Sequence, residues 1–237
     1  MDGEYQIITQ GMDNGGEYTV ATGYFTEKED GTTTSAEADY VGTTTPGTIQ
    51  ELKAMIDSTN PETITVEPTD VTPPMITITS PKAQNYLRSQ ILPIEVTIND
   101  DTSVASQSIL FDTKIVQNKT SLDLFYEKLG THKLLVRASD PFGNQSSASV
   151  SFQIIATYDS AISDINRAFT LGWIKKKAFR DYLIQKLKAA QAKKKPQQQD
   201  NLLKQLLAEL KKKQAKELTP HGYLLLKEDI EWVKGHN

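Results

Sequence analysis

The pentapeptide DPFGN, residues 140–144, contains the best candidates in this chain for binding a metal ion. Asp140 and Asn144 carry side-chain oxygens, and Asn99, Asp100 and Asp101 would add further oxygens if their loop lay at the same end of a β-domain. Calcium takes six to eight oxygen ligands, which clustered carboxylates supply. Asp, Pro, Gly and Asn are also the residues that form turns. Because the sequence has no D-x-D-x-D-G loop, we favour a structural turn and predict neither a metal site nor a cofactor.

Three lysine triplets in the last third of the chain are candidates for binding an anionic polymer. They are Lys175, Lys176, Lys177, Lys193, Lys194, Lys195, Lys211, Lys212 and Lys213. Clustered lysines bind polyanions with an affinity that falls as salt rises. The other interpretation, which we favour, is a solvated helix face whose lysines complement helix dipoles. Nucleic acid is disfavoured as a partner because no reading motif or aromatic platform accompanies the charge.

Other residue types give no sign of catalysis. The absence of cysteine excludes disulfides, thiolate zinc sites and cysteine nucleophiles. The sequence contains no G-x-S-x-G, no P-loop and no G-x-G-x-x-G. His132, His221 and His236 are isolated and lack the short spacing of metal ligands. Trp173 and Trp232 could stack on a sugar, but packing within a helical domain is favoured. We therefore predict a non-catalytic chain.

Charge divides the chain into three segments, and three segments suggest three modules. Residues 1–73 contain 14 acidic and 2 basic residues, a net charge of −12. Residues 74–156 contain 7 of each and are neutral. Residues 157–237 contain 9 acidic and 17 basic residues, a net charge of +8.

The first segment is predicted to be a β-rich module over residues 1–65. Stretches such as GEYTVATGYFTE alternate and are rich in Tyr, Thr and Val. Thr48–Asp57 fits either a helix or a strand, and its bracketing by Pro46-Gly47 and Asn60-Pro61 favours a strand. Three or four strands are few for an independent sandwich, so we interpret the module as truncated at its N-terminus. Residues 66–74, VEPTDVTPP, are predicted to be a stiff Pro/Thr linker.

The second segment, residues 75–157, is predicted to contain short strands at the spacing of a β-sandwich. Its pattern VTINDDTSVASQSILFD, followed by KLGTHKLLVRASDPFGNQSSASVSF, resembles bacterial Ig-like modules. Those modules commonly show an acidic stretch, a strand pair around a G-x-H turn, and A-x-D-x-x-G-N before the last strand. The resemblance implies an antiparallel seven-strand sandwich used as a stalk or spacer in surface proteins.

The third segment, residues 158–237, changes from period 2 to the period of a helix. Phe179, Leu183, Leu187 and Ala190 form one apolar stripe. A second stripe comprises Leu203, Leu206, Leu207 and Leu210. Thr219 is predicted to cap a last helix that has Pro220 at its first position, and Gly172 to follow the first helix. Four amphipathic helices of this length predict a small bundle.

This third segment is similar to the FIMAH domain of secreted bacterial hydrolases and surface proteins. The similarity lies in INRAFTLGWIKKKAFRDYLIQKLKAAQ and in LLKQLLAELKKKQAKELTPHGYLLLKEDIEWV. That domain often follows an Ig-like module, and the same order recurs here. The resemblance implies an extracellular or cell-surface location and brings no catalytic residues with it. The sequence departs from the family in its lysine content and in TPHGY, where the family tends to small residues.

The sequence thus predicts a multidomain β plus α chain: a partial β-module, an Ig-like sandwich and a C-terminal four-helix bundle. No run approaches the roughly 18 apolar residues that a membrane span needs. The first functional hypothesis is a non-catalytic region of an exported bacterial protein that binds wall polymer or a protein partner. The alternative is an accessory region of a secreted hydrolase whose catalytic domain precedes residue 1.

Overall fold

The computed structural model describes residues 3–12, 15–44, 46–47, 49–56 and 64–236. These residues form two compact units. The first comprises Met1–Met75, Asn99–Ser106 and Ala138–Ser146. The second comprises Ile76–Ile98, Gln107–Arg137 and Ser147–Asn237. The second unit therefore contains most of the β-sandwich together with all four described helices.

The described residues of the first unit include five strands in two sheets of their own. They are β1 (Gly3–Gln10), β2 (Gly16–Glu27), β3 (Thr33–Thr44), β4 (Ile49–Ile56) and β5 (Ile64–Thr69). One sheet has the order β1-β4-β5, and the other is the hairpin β2-β3. Leu52 and Ala54 of β4 are buried on one face, as the alternating pattern requires. The strand interpretation of Thr48–Asp57 is thus confirmed over Ile49–Ile56; Thr48 and Asp57 lie outside the described residues.

Two tyrosines and a glutamine connect the two sheets of this unit. Tyr18 of β2 and Tyr40 of β3 both hydrogen-bond the side chain of Gln50 on β4. The ring of Tyr18 lies over Gly42, its partner across the hairpin, so closely that a Cβ there would be 2.7 Å from the ring. The strand β5 extends to Thr69, beyond the predicted end of the module at residue 65. Within this extension Val66 pairs with Ala54 of β4, and Pro68 pairs with Leu52. The predicted linker 66–74 therefore starts inside a sheet.

The middle of the chain forms a β-sandwich of two sheets. Its strands are β6 (Met75–Ser80), β7 (Asn85–Leu87), β8 (Ile91–Asn99), β9 (Ser106–Phe111), β10 (Lys114–Ile115), β11 (Thr120–Asp123), β12 (Gly130–Ser139) and β13 (Gln145–Ile155). One sheet has the order β10-β9-β12-β13-β7 and the other β11-β8-β6. The first two strands of the sandwich therefore belong to different sheets, and β7 pairs in parallel with the last strand β13. Ile94, Phe111, Leu134, Val136 and Ile154 fill the core between the sheets.

Four helices follow: α1 (Tyr158–Thr170), α2 (Lys177–Gln191), α3 (Pro196–Glu217) and α4 (Pro220–Gly235). The predicted start of the last helix is confirmed, since Thr219 accepts a hydrogen bond from Gly222 N–H and Pro220 is the first helical residue. Gly172 follows α1 in the left-handed conformation at φ 73°, as expected of a helix-terminating glycine. The fold class, β modules followed by a helical bundle, is confirmed.

The two predicted apolar stripes meet in the core of the bundle. Leu183, Leu187 and Ala190 of α2 are fully buried, and so are Leu203, Leu206 and Leu210 of α3, whereas Leu207 is half-buried. The same core also contains Phe125, which lies in a short 3-10 helix of the sandwich. The sandwich and the bundle therefore share buried apolar surface.

Candidate functional site

The DPFGN segment forms the turn between β12 and β13. Asp140 N–H donates to the Asn144 carbonyl at 3.1 Å, and Asn144 N–H donates to Asp140 Oδ1 at 2.8 Å. Gly143 takes a left-handed φ of 93°, which glycine adopts without steric cost. The Asp140 side chain is only 3% exposed. The backbone of this turn is closed by hydrogen bonds between its own two ends.

The turn also brings three carboxylates together. One oxygen each from Asp70, Asp100 and Asp140 lies within 4.8 Å of the other two. Two of these residues were sequence candidates; Asp70 was not, because it follows β5 in a Pro/Thr-rich stretch far from the other two. The amide nitrogen of Asn144 donates at 2.6 Å to the Asp70 carbonyl and at 2.6 Å to Asp140 Oδ2. Asn144 thus faces the cluster as a donor rather than as a metal ligand.

Hydrogen bonds lower the pKa of Asp70 in this acidic cluster. Burial raises the pKa of Asp70, but bonds from the Thr72 N–H and the Thr102 hydroxyl outweigh it and leave the pKa below its ordinary value. Asp100 Oδ1 accepts from Thr102 N–H and its hydroxyl, whereas Oδ2 is buried and has no hydrogen-bond partner among the described residues. Asp101 lines an adjoining cavity of about 370 Å³. Three carboxylates would supply between three and six of the six to eight oxygens that calcium takes, depending on whether each binds through one oxygen or two.

Two of the three lysine triplets converge at one end of the bundle. An isolated β-bridge joins Ile174 to Leu218, and Lys175 N–H donates to the Glu217 carbonyl at 2.9 Å. The segment 175–177, which leads into the first residue of α2, therefore lies against the last turns of α3, and these turns carry residues 211–213. Lys176 and Lys213 line one cavity of about 260 Å³. We call these six lysines the basic end.

The third triplet lies at the opposite end. Residues 193–195 connect α2 to α3 and are exposed, and helices joined by so short a turn run antiparallel. The basic end is also exposed except for Lys213, which is half-buried. Lys176 pairs there with Glu217 at 3.2 Å and Lys177 with Asp181 at 2.8 Å. The other four lysines of the basic end have no ion-pair partner among the described residues.

The two tryptophans pack within the second unit. The Trp173 ring stacks on Phe125 at 5.3 Å and lies 5.8 Å from the His221 ring. The Trp232 ring stacks on His236 at 4.2 Å. Both side chains are half-buried against the bundle core, which confirms the packing interpretation.

His132 is a buried strand residue whose Nδ1 lies 2.8 Å from Asp112 Oδ2.

A buried arginine, which sequence reasoning did not single out, fastens the sandwich to the bundle. Arg88 is 1% exposed and follows the short strand β7. Its Nη1 donates to Asp229 Oδ1 at 2.8 Å, its Nε to the Glu127 carbonyl at 3.1 Å, and its Nη2 pairs with Glu228. The sequence gives no signal for these contacts because Glu228 and Asp229 lie on α4, far along the chain from Arg88.

A second arginine, Arg167, also joins the sandwich to the bundle. Arg167 of α1 pairs with both carboxylate oxygens of Asp123, which ends β11. Its guanidinium lies 4.4 Å from the centroid of the Phe125 ring, a cation–π geometry. The Asp123 carboxylate raises the pKa of Arg167, and the guanidinium in turn lowers the pKa of Asp123. The Arg88–Asp229 pair is therefore a buried ion pair of this junction, whereas the Arg167–Asp123 pair is partly exposed.

Comparisons with known proteins give only weak structural likeness. No protein-family model and no characterised protein matches the sequence. Among solved structures, the chain is similar to the one described as "Structures of Clostridium thermocellum CbhA fibronectin(III)-like modules". That match has a TM-score of 0.30 and 13% identity, and covers 62% of this chain and 94% of the other. No helix among the described residues is long and apolar enough to cross a membrane.

Proposed function

We propose that this chain is a non-catalytic region of an exported bacterial multidomain protein, and that the basic end of its bundle binds an anionic cell-surface polymer. The observation that carries this proposal is the convergence of residues 175–177 and 211–213 at one exposed end of the bundle. Four of these six lysines have no ion-pair partner among the described residues, so their charge is free to act on a ligand.

The sandwich supports this role as a spacer. Phe125 lies in the bundle core, and Arg88 pairs with Asp229, so the bundle is held on the sandwich through both apolar and ionic contacts. A bundle fixed in this way presents its basic end in a constant direction relative to the sandwich. The resemblance of the sequence to Ig-like and FIMAH modules supports an extracellular or cell-surface location.

The chemistry of lysine defines the class of ligand. The lysine ammonium group is a strongly hydrated point charge on a flexible side chain. It lacks the planar guanidinium group with which arginine makes bidentate hydrogen bonds to phosphate. Contacts of this kind give salt-dependent attraction to a polyanion with little preference for its sequence. A phosphate-rich wall polymer matches that chemistry, and a protein partner with an acidic surface is the second match.

The test compares two triple variants of the full chain with equal changes in charge. One variant, Lys175→Gln with Lys211→Gln and Lys212→Gln, alters the basic end at positions without an ion-pair partner among the described residues. Its matched control replaces Lys193, Lys194 and Lys195 with Gln at the opposite end. We expect binding to teichoic acid at low salt to fall at least tenfold in the first variant and to change much less in the control. Equal losses in the two variants would contradict a localised site.

A further inference from the structure

The junction between sandwich and bundle contains a buried carboxyl group that lacks a partner. Asp164 on α1 is 1% exposed, and neither of its carboxylate oxygens has a hydrogen-bond partner among the described residues. Asp229 on α4 is fully buried, and its Oδ2 has no partner there either. An ionised carboxylate buried without a partner is among the costliest groups in a protein interior.

The charges that face this carboxyl group do not balance it. Arg88 and Asp123 face it from the sandwich. The Arg88 guanidinium already pairs with Asp229 and Glu228 of α4. Arg167 faces it from α1 itself, and this arginine already pairs with Asp123. With all groups ionised, the buried set of Arg88, Asp164 and Asp229 carries one more negative than positive charge.

A bound proton removes this excess. We propose that Asp164 carries a proton when the bundle is docked on the sandwich, and that loss of this proton weakens the docking. The protonated carboxyl group is neutral and leaves Arg88 to pair with Asp229 and Glu228. The ionised form places a second buried carboxylate near a guanidinium that is already occupied.

The electrostatics of the junction agree with this assignment. Burial raises the pKa of Asp164 to about 7, with Arg88 and Arg167 acting in the opposite direction and Asp123 adding to the rise. Burial and the nearby Asp164 also raise the pKa of Asp229, against the lowering effect of Arg88. The native state therefore holds a proton that the unfolded chain releases near pH 4. Stability from this group is present below that pH, is lost as pH rises towards 7, and changes little above it.

Urea unfolding of the full chain between pH 5 and 8 tests the proposal. Asp164→Asn mimics the protonated group, so wild type should lose stability relative to this variant, by up to tenfold per pH unit in the unfolding constant, between pH 5 and 7. Asp159→Asn, on the exposed side of the same helix, is the matched control and should keep the wild-type pH dependence. A difference between wild type and Asp164→Asn that does not change with pH would overturn the proposal.

A fluorescence measurement separates docking from global stability and remains available if Asp164→Asn folds poorly. In a Trp232→Phe background, Trp173 is the single tryptophan and reports its stacking on Phe125 of the sandwich. His221→Gln removes a neighbouring imidazole that could itself quench the ring. We expect Trp173 emission to change with a midpoint near pH 7 and the change to vanish with Asp164→Asn or Asp229→Asn. Emission that is constant across this range, or a change that persists in Asp164→Asn, would refute the proposal that Asp164 carries this proton.

Discussion

Arg88 Nη1 and Asp229 Oδ1 lie 2.8 Å apart although 141 positions of sequence separate them, and both side chains are buried. The pair joins the end of a short strand in the sandwich to the last helix of the bundle. Because the shared core holds Phe125 beside the helices, the bundle is anchored by its packing as well as by this ion pair. Apolar packing and a buried ion pair therefore both hold the bundle on the sandwich.

Arg88→Met should destabilise the second unit by about 3–5 kcal/mol at pH 7.5, because it leaves Asp229 buried without its counter-charge. Chemical denaturation followed by circular dichroism measures the loss. Arg137→Met makes the same change on an exposed strand position and should stay within about 0.5 kcal/mol of wild type. A similar stability for both variants would mean that the Arg88 pair does not hold the junction.

Close packing against Trp173 leaves too little space for a side chain at Gly222. A Cβ at this position would lie 2.9 Å from the Trp173 carbonyl oxygen and 3.0 Å from Trp173 Cβ, and a backbone oxygen cannot move aside cheaply. We expect Gly222→Ala to cost about 1–3 kcal/mol, the range for overpacking, despite the better helix propensity of alanine. Gly235→Ala is the control, since nothing lies within 4 Å of a Cβ there. A melting temperature for Gly222→Ala at or above that of the control would contradict this packing.

The elements were predictable from the sequence where the signal is local. The change of period near Tyr158, the cap at Thr219 and the stripe that includes Leu187 each depend on neighbouring residues, and the structure agrees with them. Arg88 and Asp70 were missed because their partners come from distant segments, and a single charged residue in a short strand or linker has no periodic signal.

The lysine triplets also show that contacts between distant segments could not be predicted from the sequence. Residues 175–177 and 211–213 look alike in sequence, and so do 193–195. Only the antiparallel course of α2 and α3 decides which two triplets share an end. The residue types were therefore predictable, but their grouping required the fold.

The DPFGN turn should be independent of metal. Its ends are joined by hydrogen bonds between Asp140 and Asn144, and Asn144 presents its amide nitrogen to the acidic cluster. The melting temperature of the full chain should be the same in EDTA and in millimolar calcium. Specific binding at 100 times the Kd would add about 2.7 kcal/mol of stability. A rise of several degrees in calcium, abolished by Asp140→Ala together with Asp101→Ala, would show that the cluster does bind the ion.

The most direct test of the proposed function is binding of the full chain to purified Gram-positive cell walls before and after chemical removal of their teichoic acid. If the basic end binds wall phosphate, the chain should sediment with untreated walls at low salt. It should be released as salt approaches physiological concentration, where the Debye length is about 8 Å, and it should not bind stripped walls. Binding that persists on stripped walls, or that salt does not weaken, would contradict recognition of an anionic polymer by the lysines of the basic end.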